Sequence, residues 1–554
     1  MSESVILHGV PIYVRHDRPA VEALGISDGV VVAAGSRQQV RASLPDGAVE
    51  QELPHGAVMP AFVDAHQHAF LIAMDPQTDA LYRKAQDIPG LLRVVAELVR
   101  RAPDEGPDQW LRFHGYEPLG LSERRSPTAA ELDSVCPDRP LHVLTRTYHE
   151  SAVNTQGLRQ LGLGRGAVDP PGGRVVKGRR GQPTGVLLES ASFIAESQSR
   201  PVEATDQWRL RLRAYGQTLA ALGIGRIGDA AVPHALASDV VDVLAEVGIG
   251  AHPLLIGSRI DEPSFMTGGT AKVLADGGEY CHLCMSPAQM LRVMRSSTRA
   301  SLGSDGALAR AVGRRAGFPH RESDGQWHSG IRYPQEADLP GLFRAAADAG
   351  SALAVHAVGN GSVEAVLRAA ATDPGVTRDV PLRVEHAIAP DPDLLHRIGE
   401  AGIPVVVQPA FLSAFGHELN LVPVPLPMQL MPFRTMLDSG VAMAFSSDHP
   451  AADLSPWSGI AAAVLREDSQ GKVIHPDERI TRAQALTAYT QTSAQVLDLA
   501  DAGTLEPGMR ADLIWCDHDP HRCQDDQLGT IATLATWTDG RCVYQGSLAH
   551  AVLS

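Results

Sequence analysis

Read from its amino end, the chain first shows short β-rich runs separated by turns: SVILHG, PIYV and GVVVAAG, with Gly29 and Gly35 as punctuation. The carboxyl end has the same texture. ADLIWCDHD and ATWTDGRCVYQG are apolar runs, the second interrupted by Asp539-Gly540, a type I′ hairpin signal. Between the two ends the period changes. Eight short apolar runs (AVMPAFVDAHQH, GIGRIGDAAV, GIGAHPLLIG, TAKVLADGG, SALAVHAVG, PLRVEHA, GIPVVVQPA and GVAMAFSSDHP) alternate with longer amphipathic stretches. Continuous apolar strands separated by helical patterns predict parallel strands covered on both faces. Over residues 362–370, for example, Val363, Val366, Leu367 and Ala370 fall on one helical stripe. Eight such units predict an α/β fold, a (β/α)8 TIM barrel. Residues 58–498 would form it, and the segments 1–57 and 499–554 would join as a small composite β-sandwich. The stretch of about 75–182 is broken by Gly and Pro and holds no strand of the barrel's kind, so it reads as an insertion after the first barrel strand.

Composition changes this picture little. The 554 residues would suggest several domains, but a barrel with insertions can pass about 400 residues as one unit. With 44% hydrophobic and 20% charged residues the chain is ordinary globular protein, which excludes disordered and fibrous classes. The charge balance is more selective: 48 basic against 64 acidic residues leave a formal net charge of −16, which argues against nucleic acid and anionic membrane surfaces as partners. The six cysteines are not spaced as a disulfide framework. The first twenty residues lack an export signature, and no apolar run reaches about 18 residues, so a soluble, cytoplasmic protein is expected.

Barrel active sites lie at the carboxyl ends of the strands, so the polar residues that end the eight runs are the candidates. The first run ends in His66-Gln67-His68, whose two imidazoles share a face of an extended strand and can reach one metal. The fourth contains Lys272, the fifth ends in His356, the sixth in His386 and the eighth in Asp448. Strands two, three and seven offer no obvious ligand unless Asp229 or Gln408 is one. Each of these alone has a plain structural explanation, such as a polar strand cap or a turn residue. Their joint fall at strand ends, in order, points to a metal centre.

Lys272 discriminates most, because the whole chain has only four lysines. Burying an ammonium is costly and lowers its pKa. A neutral amine can capture carbon dioxide and become a carbamate, an anionic two-oxygen ligand able to bridge two metals. The competing reading pairs Lys272 with a carboxylate such as Asp276 or Glu189.

At these positions the sequence resembles the amidohydrolase superfamily, in its amidohydrolase family 3 branch. MPAFVDAHQH over 59–68 is similar to the family's opening metal motif, KVLADG over 272–277 to its lysine strand, and HAVGN over 356–360 and RVEH over 383–386 to its single-histidine strands. SSDHP over 446–450 is similar to its Asp strand, and GTLEPGMRAD over 503–512 to its closing signature. In the insertion, HESAVN over 149–154 and PTGVL over 183–187 also resemble family segments. The resemblance implies two divalent ions, zinc the expected one, with manganese, iron and nickel left open. It places His66, His68 and Asp448 on one ion, His356 and His386 on the other, and N6-carboxylated Lys272 on both. It also implies a homodimer acting on a small-molecule substrate. The chain departs from the family pattern in three places. Asn360-Gly361 replaces the usual Asp-Arg after the strand-five glycine, His449 replaces an aromatic, and the loop after strand four reads GEYCHLC over 278–284. Substrate contacts are expected at His149, Asn154, Glu189 and His449, with His149, Asn154 and Glu189 equally open to a structural role. Cys281 and Cys284 read as packing residues more readily than as a redox or metal pair. The apolar stretch from Phe411 to Leu430 reads as a pocket wall, a lid or a buried loop.

The function implied is metal-dependent hydrolysis of a C–N bond, in an amide, N-substituted formamide or cyclic amide. A metal-bridging hydroxide would attack the carbonyl, with Asp448 as general base and acid. Decarboxylation, deamination or ester hydrolysis on the same metals is the first rival, and a non-catalytic, degenerate barrel the second.

Overall fold

A computed structural model describes residues 4–75, 85–103, 106–200, 207–259, 262, 266, 268–303, 319–372, 380–419, 428–547 and 549–550. Its centre is an eight-stranded parallel sheet: β1 (Phe62–Gln67), β2 (Ile224–Pro233), β3 (Gly250–Ile256), β4 (Gly269–Leu274), β5 (Ser351–Gly359), β6 (Leu382–Ala389), β7 (Val405–Val407) and β8 (Met443–Phe445). Each strand pairs with its sequential neighbour, and each overlaps one of the eight apolar runs. The sheet closes just beyond the last strand. Asp448 N–H donates to His66 O at 2.8 Å and His68 N–H to His449 O at 3.1 Å. The buried Asp64 carboxylate secures this seam, accepting the Ser447 amide at 3.0 Å and its hydroxyl at 2.6 Å. Between β5 and β6 the helix Asn360–Thr372 buries Val363, Val366 and Leu367, the predicted stripe.

The two chain ends build one eight-stranded sheet folded over a core that includes Leu7, Leu24, Val58, Leu513 and Trp515. The runs SVILHG and PIYV form a single strand, Val5–Ile12, interrupted at Gly9 with a φ of 98°. A neighbouring strand, Val21–Ser27, has no counterpart in the sequence reading, because VEALGIS lacks a clean alternation. Asp539 and Gly540 have φ of 48° and 71°, and Asp28 and Gly29 have 52° and 76°, the paired positive values of a type I′ hairpin turn. Strand Ala57–Pro60 still belongs to this sheet, pairing with Leu513–Cys516, so the chain changes sheets at Ala61.

The segment after β1 holds more order than its Gly and Pro content suggested. It carries a five-stranded sheet (Leu111–Tyr116, Leu141–Thr145, Glu150–Val153, Gly173–Lys177, Pro183–Glu189) with its own apolar clusters, and continues into helix Ser190–Ser199, past the expected end near 182. Buried Arg112 ties its two ends together, reaching Asp75 at 2.8 Å and Glu196 at 3.3 Å. Among the described residues no helix is long and apolar enough to cross a membrane.

The barrel floor and the terminal sheet are joined by an ion pair. Arg226, near the start of β2, donates to Asp512 at 2.7 and 3.2 Å and to Asp539 at 3.1 Å, and Asp539 N–H donates to Asp512 at 2.7 Å. Asp512→Ala leaves the largely buried guanidinium without its main partner. We expect a loss of about 3 kcal/mol, read as a lower midpoint in urea unfolding, whereas an unchanged midpoint would remove Arg226 from the interface's support.

Candidate metal centre

The barrel mouth gathers the strand-end residues. One ligand atom each from His66, His386 and Asp448 lie within 4.8 Å of one another. Asp448 Oδ1 stands 3.0 Å from His68 Nε2 and 3.4 Å from His66 Nε2. The His356 ring lies 4.5 Å from that of His386, centroid to centroid. Lys272 is on β4, where Leu274 pairs with His356, so the amine lies one inward-facing position below the imidazole.

The backbone is bent to make this set. Asp448 and His386 have φ of 50° and 79°, the left-handed region, where a non-glycine residue costs roughly 1–3 kcal/mol. At β6 the bend has a plain use. Neighbouring strand residues normally point to opposite sides, yet here Glu385 and His386 both serve the interior.

Two groups that sequence reasoning passed over or left open set the tautomers. His66 Nδ1–H donates to the Glu385 carboxylate at 2.6 Å, which leaves Nε2 bare towards the centre. Arg383, 2.6 Å from Glu385, holds that carboxyl well below the usual range despite its burial. His386 Nδ1–H donates to Gln408 Oε1 at 2.8 Å, and Gln408 is oriented by its own amide donating to Ser446 Oγ at 3.0 Å. The signal for Glu385 was present in RVEH, but a buried acidic residue between Arg and His read as part of a motif rather than as a partner. Asp229 Oδ2 accepts the Phe70 amide at 2.8 Å, at the start of the helix Ala69–Met74.

The electrostatics suit a cation. Burial drives His66 down to about 4 and His386 to about 3, and holds His356 well below its ordinary value, so these imidazoles are neutral. Burial also lowers Lys272 to about 8. Its amine has no hydrogen-bond partner, and neither has His356 Nε2. The carboxylates that the sequence offers as its partners are engaged elsewhere. Asp276 accepts the backbone amides of His282, Val358 and Gly359, while Glu189 accepts from His149 and Tyr333. Orphaned buried donors and lone pairs facing one acidic residue fit a metal-binding role.

The expected substrate contacts separate. His149 reaches the mouth from the insertion, its ring stacked 5.4 Å from that of His356. Glu189 sits behind it, fully buried with a φ of 54°, accepting from His149 Nδ1–H at 2.6 Å. Glu189 therefore holds His149 and is not itself presented to the mouth. Asn154 is not brought to the site. It is buried as the N-cap of helix Thr155–Gln160, and its amide is spent on Leu141, Gly157, Cys136 and Arg139. His449 lies beside Asp448 and is tied to the Tyr215 hydroxyl at 3.0 Å. From Phe411 to Leu430, residues 420–427 lie outside the described residues. Helix Phe411–Leu419 packs under the insertion, with Arg146 3.9 Å above the Phe415 ring. The departures after strands four and five form one contact. Asn360 exchanges hydrogen bonds with the Cys284 backbone at 2.8 and 3.0 Å, and a Cβ at Gly361 would stand 2.6 Å from the His282 ring, so the family's arginine has no room here.

Comparison with known proteins agrees with this architecture. The chain belongs to the amidohydrolase family, whose Amidohydro_3 profile matches residues 53–544. N-substituted formamide deformylase of Arthrobacter pascens is 28% identical over 536 residues, covering 95% of each chain. Crystal structures of uncharacterized metal-dependent hydrolases share the fold. That from Pyrococcus horikoshii OT3 has a TM-score of 0.65 at 21% identity, over 95% of this chain and 99% of its own. That from Pyrococcus furiosus has 0.61 at 22%, over 94% and 100%. The protein is thus a hydrolase of the family that acts on C–N bonds.

Two outcomes follow from the supporting residues. Glu385→Gln removes the charge that orients His66 and should weaken metal retention about 10–100-fold, measured by equilibrium against a graded chelator; unaltered retention would show that Glu385 does not support the ligands. Against its own burial, His149 is raised to about 9 by the Glu189 carboxylate. Its charged pair thus contributes stability fully below about pH 6.5 and loses it as pH rises through about 9. The gap in stability between wild type and His149→Gln should close over that window, and parallel pH curves would refute the pairing.

Proposed function

We propose that the barrel centre holds two divalent ions and that the enzyme hydrolyses an amide-type C–N bond of a small molecule, in an N-substituted formamide or a cyclic amide. The observation that carries this reading is the convergence of His66, His386 and Asp448 beside a buried lysine amine without a partner. His66, His68 and Asp448 would hold one ion, His356 and His386 the other, and N6-carboxylated Lys272 both. Carboxylation needs no helper: the neutral amine attacks carbon dioxide, an N–C bond forms, and one proton leaves to solvent. The depressed pKa of Lys272 supplies that neutral amine. When bound, such ions lower the pKa of a coordinated water from about 15.7 toward 7 and polarise a carbonyl oxygen. Zinc suits the imidazole and carboxylate donors, as do manganese, iron and nickel.

The chain's own residues do the rest. Asp448, bent inward at the seam and 3.0 Å from His68 Nε2, is placed to take the water's proton and hand it to the leaving nitrogen. An amide nitrogen leaves poorly as an anion, so this delivery decides whether the C–N bond breaks. His149, charged by Glu189, presents a donor beside His356 that can orient a carbonyl group. His449, held by Tyr215, borders the other side. The Arthrobacter pascens relative, matched over 95% of both chains, supports N-substituted formamides as the first substrates to try.

The test is Asp448→Asn, with bound metal measured alongside amine and formate release from N-substituted formamides. The variant should keep metal and lose about 10²–10⁴-fold in kcat. Full turnover by the variant, or a purified wild-type chain that binds no metal, would overturn the reading.

A further inference from the structure

A second set of ligand-type side chains lies outside the barrel centre, in the three-stranded sheet that follows β4. Cys284, on strand Leu283–Met285, pairs directly with His328 on strand Trp327–Ser329. Asp324 lies in the turn that joins this strand to His320–Arg321. One ligand atom each from Cys284, Asp324 and His328 lie within 4.8 Å of one another.

The hydrogen bonds around His282 and His328 are one proton short. His282 Nδ1 stands 3.1 Å from Glu336 Oε2, His282 Nε2 is 2.9 Å from His328 Nδ1, and His328 Nε2 is 3.0 Å from Asp324 Oδ2. Three contacts need three N–H groups, and two neutral imidazoles carry one each. Glu336 and Asp324 both only accept, so the missing proton falls at one end of the chain, and with His282 Nδ1–H given to Glu336 it falls at Asp324. The bare Nε2 of His282 then takes the proton on His328 Nδ1. His328 Nε2 is left with a lone pair facing a carboxylate oxygen. A proton there gives an imidazolium, and a divalent ion there is held by both groups. Cys284 on the paired strand favours the metal, since a thiolate beside an imidazole and a carboxylate is a zinc-type donor set.

We propose that Cys284, His328 and Asp324 form a second zinc-type metal site, separate from the barrel centre, with water in the fourth position. The Glu336–His282 chain behind His328 fixes its tautomer, the support a ligating histidine requires. Binding releases the thiol proton, and the divalent charge is then matched by one thiolate and one carboxylate. Asp324 is 52% exposed, which gives the ion a path from solvent, while its other oxygen is already fixed by the Gln326 amide at 2.9 Å. The ion would tie strand Leu283–Met285 to the turn before strand Trp327–Ser329. Through Asn360, which bonds both backbone groups of Cys284, it would fix that sheet to the residue following β5.

The test uses the full chain stripped by chelator and reloaded with Co2+. The barrel ligands are nitrogen and oxygen, so a near-ultraviolet thiolate-to-cobalt charge-transfer band reports the second site alone. The band should form in the wild type and in Cys281→Ser and vanish in Cys284→Ser, which should also bind one zinc fewer per chain. No band in the wild type, or a band that survives in Cys284→Ser, overturns the proposal. Asp324→Asn, an exposed change that spares the fold, gives a second reading: zinc affinity at this site should fall at least tenfold, and unchanged affinity overturns the assignment.

Discussion

Closing a parallel sheet into a barrel brings its last strand against its first, and here that seam is also where the proposed ligands His66, His68 and Asp448 meet. The amide of Asp448 bonds to the carbonyl of His66, and the amide of His68 to the carbonyl of His449. The segments that carry the first and last of the proposed ligands are therefore backbone partners. Their side chains meet because the barrel cannot close without bringing them together. Asp64 beneath them holds Ser447, so the left-handed turn at Asp448 is supported by a buried carboxylate. The strain at Asp448 and at His386 persists because the surrounding sheet over-determines both positions.

The second constraint is dielectric. The centre takes two carboxylates, Asp448 and Glu385, one amine and several imidazoles out of water, and burial alone would neutralise them all. Glu385 remains ionised because Arg383 is buried beside it, and it lends its charge to His66. Lys272 has no such partner, and its amine moves the opposite way, towards the neutral form. A site that keeps its two acids charged and its amine neutral matches the cations proposed for it.

Much of this was legible in the sequence, for physical reasons. Strands covered on both faces must be apolar throughout, so the eight runs marked all eight barrel strands, and the polar residue ending a run stood out against them. The type I′ turn at Asp539-Gly540 was readable because few residues tolerate two positive φ values in succession. The insertion was not readable. Its strands are short and spaced by Gly and Pro, and they pack on helices of their own, so neither period dominates. Asn154 drew attention as part of HESAVN, but a conspicuous polar residue in a motif serves equally well as a helix cap. Glu385 was hidden for the converse reason: whether a buried acid supports a ligand or completes an ion pair depends on a residue 319 positions away.

The insertion has its own sheet and clusters, and it lowers the His149 ring onto the barrel rim. Its roots are cinched by Arg112, and its weight rests on the helix after β7 through Arg146. The catalytic floor and the ceiling of the pocket thus answer to different parts of the chain. Selection can remodel the ceiling for a new guest without touching the floor, so a lineage of such enzymes can diversify in diet while its core chemistry stands still.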